Sequence, residues 1–180
     1  RLGVWQLKWE LEDLSFRFLE PDQYKKIAKM LEEKRVERES FVVSAIARLE
    51  SELKAVGVTA EVSGRPKHIY SIWKKMKGKK VDFDELYDVR AFRVIVDDIK
   101  DCYTVLSILN NLWTPIPKEF DDYISRPKPN GYRSLHTVVI VDDGRPLEVQ
   151  IRTKEMHQSS EFGVAAHWRY KESGNSNFSA

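Results

Sequence analysis

The sequence has one cysteine, no long apolar run and almost no net charge, and each scarcity excludes a class of protein. The single cysteine, Cys102, rules out a disulfide within the chain and fits a reducing compartment such as the cytoplasm. No apolar segment approaches the roughly 20 residues that cross a bilayer, so we expect no membrane partner. The net charge of +2 gives no overall nucleic-acid signature, and any basic site must therefore be local.

Two motifs of catalytic proteins are also missing. The four histidines have no zinc-site spacing, and one cysteine cannot complete a zinc cluster. No Gly-x-x-x-x-Gly-Lys-Ser/Thr sequence occurs, which excludes a P-loop enzyme. The sequence also begins without a methionine or a signal-peptide pattern, which favours a segment of a longer protein.

What the sequence does contain predicts an α/β (α+β) fold with a mixed sheet. Apolar residues recur at three- and four-residue steps before Gly57, which predicts N-terminal helices over residues 1–57. Pro21 should end the first of these helices and can start the next, and the apolar face of the first helix should consist of Val4, Leu7, Leu11, Leu14 and Phe18. Strand and helix patterns then alternate through residues 58–170, and residues 171–180 are typical of a flexible tail. We expect strands at 59–63, 89–96, 135–141 and 147–152, and helices at 66–76, 101–112 and 153–170. A hairpin joins the last two strands, so the sheet should mix parallel and antiparallel pairs.

A strongly basic segment follows the first expected strand. Residues 65–80 contain seven Lys or Arg and no acid. Pro66 suits the first position of a helix, and the amides and dipole at such a helix start attract anions. A solvated basic helix or an RNA-binding patch is the alternative. The candidate contacts to a di- or triphosphate are Arg65, Lys67, Ser71, Lys74 and Lys75.

Charged residues flank and interrupt the apolar strand that follows. Asp88 directly precedes this strand, beside the expected phosphate site, where a carboxylate could bind magnesium. Arg90 and Arg93 lie within the strand, and a charge in such a position usually has a partner. An internal ion pair between Arg90 and Asp88 is the alternative to a ligand-binding role.

Two further segments carry groups suited to a flat, anionic ligand. Prolines stiffen the loop at residues 126–136, which presents Tyr132 beside Lys128 for stacking against a base. On the last strand the polar side chains alternate with apolar ones, and His136 on the paired strand could join their face. A polar turn and a half-exposed strand are the ordinary alternatives. The polar residues of this strand could act as a base, recognise a ligand by hydrogen bonds and bind a phosphate group. They are Glu148, Gln150 and Arg152.

Taken in order, these segments resemble the synthetase domain of the RelA/SpoT-type (p)ppGpp synthetases. The likeness covers roughly residues 60–170, and the helices before it are similar to the family's linker. The motifs that carry it are Gly64-Arg-Pro-Lys-His-Ile-Tyr-Ser-Ile72, Asp88-Val-Arg-Ala-Phe-Arg93, Lys128-Pro-Asn-Gly-Tyr-Arg-Ser-Leu-His136, Glu148-Val-Gln-Ile-Arg-Thr153, Met156-His157 and Gly163-Val-Ala-Ala-His-Trp168.

The resemblance implies a nucleotidyltransferase-like sheet and a magnesium-dependent reaction. The β,γ-pyrophosphoryl group of ATP would pass to the 3′-hydroxyl of GDP or GTP, releasing AMP, as in the stringent response. The family's hydrolase domain, which would precede Arg1, is absent, and contact with the ribosome is expected only through domains missing from this chain. A non-enzymatic RNA-binding module and a different nucleotidyltransferase are the alternatives.

The resemblance also implies a role for each motif residue. The ATP side would consist of Arg65 and Arg93 around the adenine, with Lys67, Ser71 and Lys74 or Lys75 on the phosphates. Asp88 would bind magnesium, and Glu148 would activate the 3′-hydroxyl or share the metal. The acceptor side would consist of Tyr132 stacked on guanine, with Lys128, Asn130, His136, Gln150 and Arg152 nearby. The acidic segment Glu119, Asp121 and Asp122 resembles the synthesis-only, RelA-like group, whereas bifunctional members carry a basic Arg-x-Lys-Asp there.

Overall fold

The computed structural model of the chain describes residues 4–65, 68–80 and 90–160, with only the backbone of residues 4–6 and 36. Two helices open the chain, α1 (Val4–Leu19) and α2 (Pro21–Ala55), and Pro21 begins α2 as predicted. The end of α2 is closed by Gly57, which adopts a positive φ of 76°. The Gly57 amide donates to the Lys54 carbonyl and the Val58 amide to the Leu53 carbonyl, which satisfies the last turn of the helix.

A mixed sheet forms the centre of the protein, and the predicted fold class is confirmed. Within the described residues the strands are β1 (Ala60–Gly64), β2 (Arg90–Val96), β3 (Thr114–Pro115), β4 (Asp121–Asp122), β5 (Leu135–Ile140) and β6 (Pro146–Thr153). They lie in the order β1, β2, β6, β5, β3, and β4 also pairs with β5; β2 and β6 are parallel, whereas the other pairs are antiparallel. The other α-helices in the described residues are α3 (Ile69–Lys79), α4 (Ile99–Leu112) and α5 (residues 154–160).

One face of the sheet packs against α2 and α4. Strand side chains alternate between faces, so every second residue of β2, β5 and β6 turns towards the same layer of helices. Phe92, Leu135, Leu147 and Ile151 are fully buried there. This core also takes Leu49 and Leu53 from α2 and Val105 and Leu109 from α4. The alternation therefore leaves His136 of β5 and Glu148, Gln150 and Arg152 of β6 on the opposite face.

A second, smaller core holds α3 against the N-terminal helices. Phe16 of α1, Ile27 of α2 and Ile72 of α3 are buried together, with Tyr70 and Trp73 packed around them. The position of α3, the helix that carries Ser71 and the lysines, is therefore set by packing against α1 and α2.

The predicted bounds of α3 are wrong at both ends. His68 is extended, with φ −86° and ψ 139°, and the helix begins at Ile69 and not at Pro66. A proline fits extended backbone as well as the first helical turn, so Pro66 did not decide the start. The helix continues through Gly78 to Lys79 and ends where Lys80 adopts the left-handed conformation.

The helix α1 buries a different face from the one its periodicity suggests. Leu7, Leu11 and Leu14 are exposed, and Phe18 is 90% exposed. Phe16 is buried instead, because it meets the aromatic side chains of α3. Among the described helices, none combines the length and apolarity that crossing a membrane requires.

Candidate functional site

The polar residues of the last strand lie on the sheet face opposite the main core. Gln150 on β6 is placed between Arg93 on β2 and His136 on β5 by the strand register. Glu148, two residues earlier on β6, points to the same face. His136 therefore joins the face that the sequence predicted for it.

Glu148 is a half-buried carboxylate whose charge is not neutralised within the described part of the chain. It is partly covered, and no hydrogen bond or ion pair joins it to any described residue. A partly desolvated carboxylate without a partner destabilises a fold, so such a group usually serves a ligand. Gln150 is covered to a similar degree, whereas Arg152 is only 4% exposed.

The side chain of Tyr132 is held at the edge of this face by His136. The Tyr132 hydroxyl lies 2.8 Å from Nε2 of His136, and the two rings meet edge-on at 84°. Tyr123, which the sequence did not single out, contacts both rings edge-on. Lys128 places its ammonium 4.7 Å from the Tyr123 ring centre and 5.3 Å from that of Tyr132. These four side chains, here called the aromatic cluster, form a pre-arranged surface for a base and a nearby anion.

The loop that carries Tyr132 is fixed by its own hydrogen bonds. Gly131 has a φ of 83°, as the predicted Asn-Gly turn requires. The side-chain oxygen of Asn130 accepts from the Tyr132 amide at 3.0 Å, and the Gly131 amide donates to the Lys128 carbonyl at 2.8 Å. The Asn130 oxygen therefore helps to hold the loop, and its amide nitrogen remains available to donate to a nucleotide.

Cations from three separate motifs act on His136. Burial and, to a smaller extent, the charges of Lys128, Arg65 and Arg152 together lower the pKa of His136 to about 4, against the opposing effect of Asp121. The imidazole is therefore neutral at physiological pH. The basic turn, the tyrosine loop and the last strand, which are far apart in sequence, thus converge on one positively charged surface suited to phosphate groups.

We expect His136 to make the stability of the protein pH-dependent. The folded pKa is about 4 and the ordinary value is 6.5, so the folded protein binds fewer protons than the unfolded chain between these values. The wild type should therefore lose stability relative to His136→Gln as the pH falls from about 6.5 to about 4. Urea denaturation of both proteins across this range tests the prediction, and a constant difference in their free energies of unfolding would contradict it.

The other predicted ATP-side residues lie on the turn and helix after β1. The Arg65 amide donates to the Ala91 carbonyl at 2.8 Å, which extends the pairing of β1 with β2. Ser71, Lys74 and Lys75 project from the side of α3 opposite its apolar residues, and both lysines are exposed. Lys67 lies outside the described residues.

The predicted metal ligands are described only in part. Asp88 lies outside the described residues, so its separation from Glu148 is not defined. Within residues 4–65, 68–80 and 90–160, no group of three or more His, Cys, Asp or Glu could hold a metal ion. Arg90 forms an ion pair with Asp143 at 2.8 Å and lies 3.5 Å from the Phe41 ring centre, whereas the alternative pair with Asp88 lies outside the described residues. The register explains this, because Arg90 lies opposite Leu147 near the tip of the hairpin.

The acidic segment divides into exposed and engaged carboxylates. Glu119 and Asp121 are exposed, and Asp121 pairs in register with His136. Asp122 accepts from the Ser125 and Ile124 amides and from the hydroxyls of Ser125 and Tyr103. Burial alone would raise the pKa of Asp122, but these hydrogen bonds lower it overall. Asp122 thus stabilises the turn before the tyrosine loop.

Comparison with known proteins identifies the family. The sequence matches the family described as "Region found in RelA / SpoT proteins" over residues 64–175, which is more than half of the chain. The chain belongs to the RelA/SpoT family. The match begins at the last residue of β1 and includes every residue of the aromatic cluster and of the polar sheet face.

Longer relatives share the whole of this RelA/SpoT chain, including α1 and α2. The GTP pyrophosphokinase of Escherichia coli K12 is 56% identical over 172 residues, which is 96% of this chain and 23% of that protein. The GTP pyrophosphokinase of Haemophilus influenzae is 54% identical over 180 residues, all of this chain and 24% of that protein. The chain therefore spans about a quarter of the curated relatives it matches.

A solved structure shows the same fold. Small alarmone synthetase 1 from Bacillus subtilis, bound to its product pppGpp, superposes with a TM-score of 0.59 at 23% identity, over 82% of each chain. At this identity the likeness supports the RelA/SpoT fold, and the site residues of this chain are argued from its own geometry.

Proposed function

We propose that this chain catalyses (p)ppGpp synthesis, in which the β,γ-pyrophosphoryl group of ATP passes to the 3′-hydroxyl of GDP or GTP. The observation that carries the proposal is the convergence of Arg65, Lys128 and Arg152 around His136, beside the Glu148 carboxylate, which pairs with no described residue. Such a surface combines phosphate attraction, a stacking ring and a group that can act on a hydroxyl. The names of the longer relatives, GTP pyrophosphokinases, support the same reaction.

The acceptor nucleotide would bind at the aromatic cluster. Guanine would stack on Tyr132, whose ring is oriented by the hydrogen bond between its hydroxyl group and Nε2 of His136. Lys128 would meet the phosphates, since its ammonium lies over the Tyr123 and Tyr132 rings. Gln150, paired with His136 in register, would supply hydrogen bonds towards the sugar. The 3′-hydroxyl would then face Glu148, which is displaced from Gln150 by about 7 Å along β6.

ATP would bind on the side of Arg65 and α3. Arg65 and Arg93 would flank the adenine, and Ser71 with Lys74 or Lys75 would contact the phosphates from the free face of α3. The 3′-oxygen would attack the β-phosphorus, the bond from that phosphorus to the α,β-bridging oxygen would break, and AMP would leave. The proton of the 3′-hydroxyl would pass to Glu148 or to solvent.

Magnesium fits the carboxylate chemistry of this face. Mg²⁺ prefers hard oxygen donors such as the Glu148 carboxylate. In enzymes that act on nucleotides it is commonly bound by one or two carboxylates together with the substrate phosphates. We propose that Glu148 and Asp88 hold the ion, which neutralises charge on the phosphates when bound. Nucleotide substrates and the single reduced cysteine fit a cytoplasmic protein.

One incubation tests the proposed reaction. Purified protein with ATP, GDP and Mg²⁺ should yield AMP and a guanosine tetraphosphate in equal amounts by ion-exchange chromatography. Omission of Mg²⁺ should stop both products. Formation of AMP without the tetraphosphate, or tight RNA binding without any transfer, would contradict the proposal and favour a different nucleotidyltransferase or an RNA-binding module.

We expect the acidic segment to favour GDP over GTP as the acceptor. An additional unit of negative charge about 8 Å from a carboxylate in water costs about 0.5 kcal/mol, or about 2-fold. In competition at equal concentrations GDP should therefore be used preferentially, and Asp121→Asn should reduce the preference by about 2-fold. Asp22→Asn, an exposed carboxylate on α2, is the control. A clear preference of the wild type for GTP would contradict the prediction.

A further inference from the structure

The helix α3 receives its N-terminal cap from a distant part of the chain. His68 occupies the N-cap position but makes no side-chain hydrogen bond there. Instead, Oδ1 of Asp13, on α1, accepts from the Tyr70 amide at 2.9 Å, across 57 residues of sequence. Tyr70 is the second helical residue, whose amide is an ordinary target of a capping side chain. Asp13, and not His68, thus caps the start of α3.

Neighbouring contacts fix the direction from which Asp13 reaches α3. Trp9, one turn before Asp13, stacks on His68 with ring centres 4.3 Å apart at an angle of 26°. Phe16, three residues after Asp13, packs against Tyr70 and Trp73. The same face of α1 therefore holds both the residue before α3 and its first two turns.

The opposite end of the turn into α3 is held by α2. Nη2 of Arg38 donates to the Arg65 carbonyl at 3.2 Å, and the Arg65 amide is bonded to β2. Arg65 is thus fixed by the sheet and α2, and Tyr70 by α1. The angle at which α3 leaves the sheet is set by the N-terminal helices.

We propose that Asp13 is a positioning residue for ATP, because it fixes the start of the helix that carries the phosphate contacts. The inference rests on the proposed function, since it assigns Ser71 and the α3 lysines to ATP. When the cap is lost, the first turn of α3 frays and its amide, hydroxyl and ammonium groups no longer stand at fixed places. The aromatic cluster is built from the loop and β5, so acceptor binding is independent of this cap.

Loss of the Asp13 cap should therefore weaken the binding of ATP and leave the binding of GDP unchanged. Loss of a helix cap typically changes an equilibrium by about 2- to 30-fold, so Asp13→Ala should raise the KM for ATP within this range. The KM for GDP should stay within about 2-fold. Asn caps helices about as well as Asp, and Asp13→Asn should therefore restore most of the ATP affinity. Glu10→Ala, which removes an exposed carboxylate from the same helix, is the matched control.

Amide exchange supplies a readout that does not depend on activity. The Tyr70 amide should exchange faster in Asp13→Ala than in the wild type or Asp13→Asn, as mass spectrometry of peptides covering residues 68–76 would show. If Asp13→Ala does not fold, Asp13→Glu serves in its place, because it keeps the charge and displaces the acceptor by one methylene. An intermediate rise in the KM for ATP is expected for that variant.

The possible outcomes separate the inference from the reaction on which it rests. A faster Tyr70 exchange with an unchanged KM for ATP would overturn the inference and leave the proposed function standing. Equal rises in the KM for ATP and for GDP would give Asp13 a purely structural role and overturn it as well. A wild type that neither binds ATP nor forms the tetraphosphate would overturn the proposed function, and the inference with it.

Discussion

The Glu148→Gln protein should bind both nucleotides and yet transfer the pyrophosphoryl group about 10²- to 10⁴-fold more slowly than the wild type. The substitution keeps the shape of the side chain and removes its charge. Since no described residue pairs with the Glu148 carboxylate, the neutral amide should leave the fold intact. A loss of rate without a loss of binding would assign Glu148 to the reaction itself.

The expected size of the loss depends on what the carboxylate does. An ordinary Glu has a pKa of about 4.3, far below that of a ribose hydroxyl, so it is a weak base for this proton. We therefore expect the Glu148 carboxylate to act also by orienting the hydroxyl and by helping to hold the metal. A variant that loses both contributions should fall at or beyond the upper end of the 10²- to 10⁴-fold range.

Titration and rate measurements together test this prediction. Calorimetry with ATP and with GDP should give affinities within about 3-fold of the wild type, while single-turnover assays report the chemical step. Glu52→Gln, an exposed carboxylate on the helix that covers the other face of the sheet, is the control. A folded Glu148→Gln protein with near-normal turnover would remove the centre of the proposed mechanism.

Tyr132→Ala should weaken the binding of the guanine nucleotide by about 5- to 150-fold, because one base–aromatic stack contributes roughly 1–3 kcal/mol. ATP affinity should change little, since the candidate ATP contacts lie on α3 and the turn before it. Lys128 places its ammonium over the Tyr132 ring, so the base must stack on the other ring face or displace the ammonium. Equal losses for both nucleotides would assign Tyr132 to the fold and not to the acceptor pocket.

A second variant separates stacking from orientation. Tyr132→Phe keeps the ring and removes the hydroxyl that lies 2.8 Å from Nε2 of His136. A typical net hydrogen bond contributes about 0.5–1.5 kcal/mol, so this variant should lose only about 2- to 13-fold in guanine affinity. Tyr123→Phe keeps both edge-on ring contacts and is the matched control, with an expected change below about 2-fold. If Tyr132→Phe lost as much guanine affinity as Tyr132→Ala, the orientation of the ring by His136, and not base stacking, would account for most of the binding energy.

The sequence by itself determined the features that depend on neighbouring residues. The hairpin between β5 and β6, the alternation of Glu148 with buried residues and the turn at Gly131 were all predicted correctly. Thr153 also caps the last helix as expected, since its hydroxyl accepts from the Met156 amide. These features follow from side-chain periodicity and local backbone preferences, which a window of about ten residues contains.

Only the tertiary structure decided the features that depend on residues far apart in sequence. The start of α3 was misplaced because its cap comes from Asp13, and the buried face of α1 was misjudged because aromatic side chains of α3 select Phe16. The partner of Arg90 and the hydrogen bond between Tyr132 and His136 likewise follow from how the elements pack. Periodicity states which residues share a face of an element, but it does not state what that face meets. That choice is made by packing and by the pairing of buried charges, whose partners the chain brings together only when it folds.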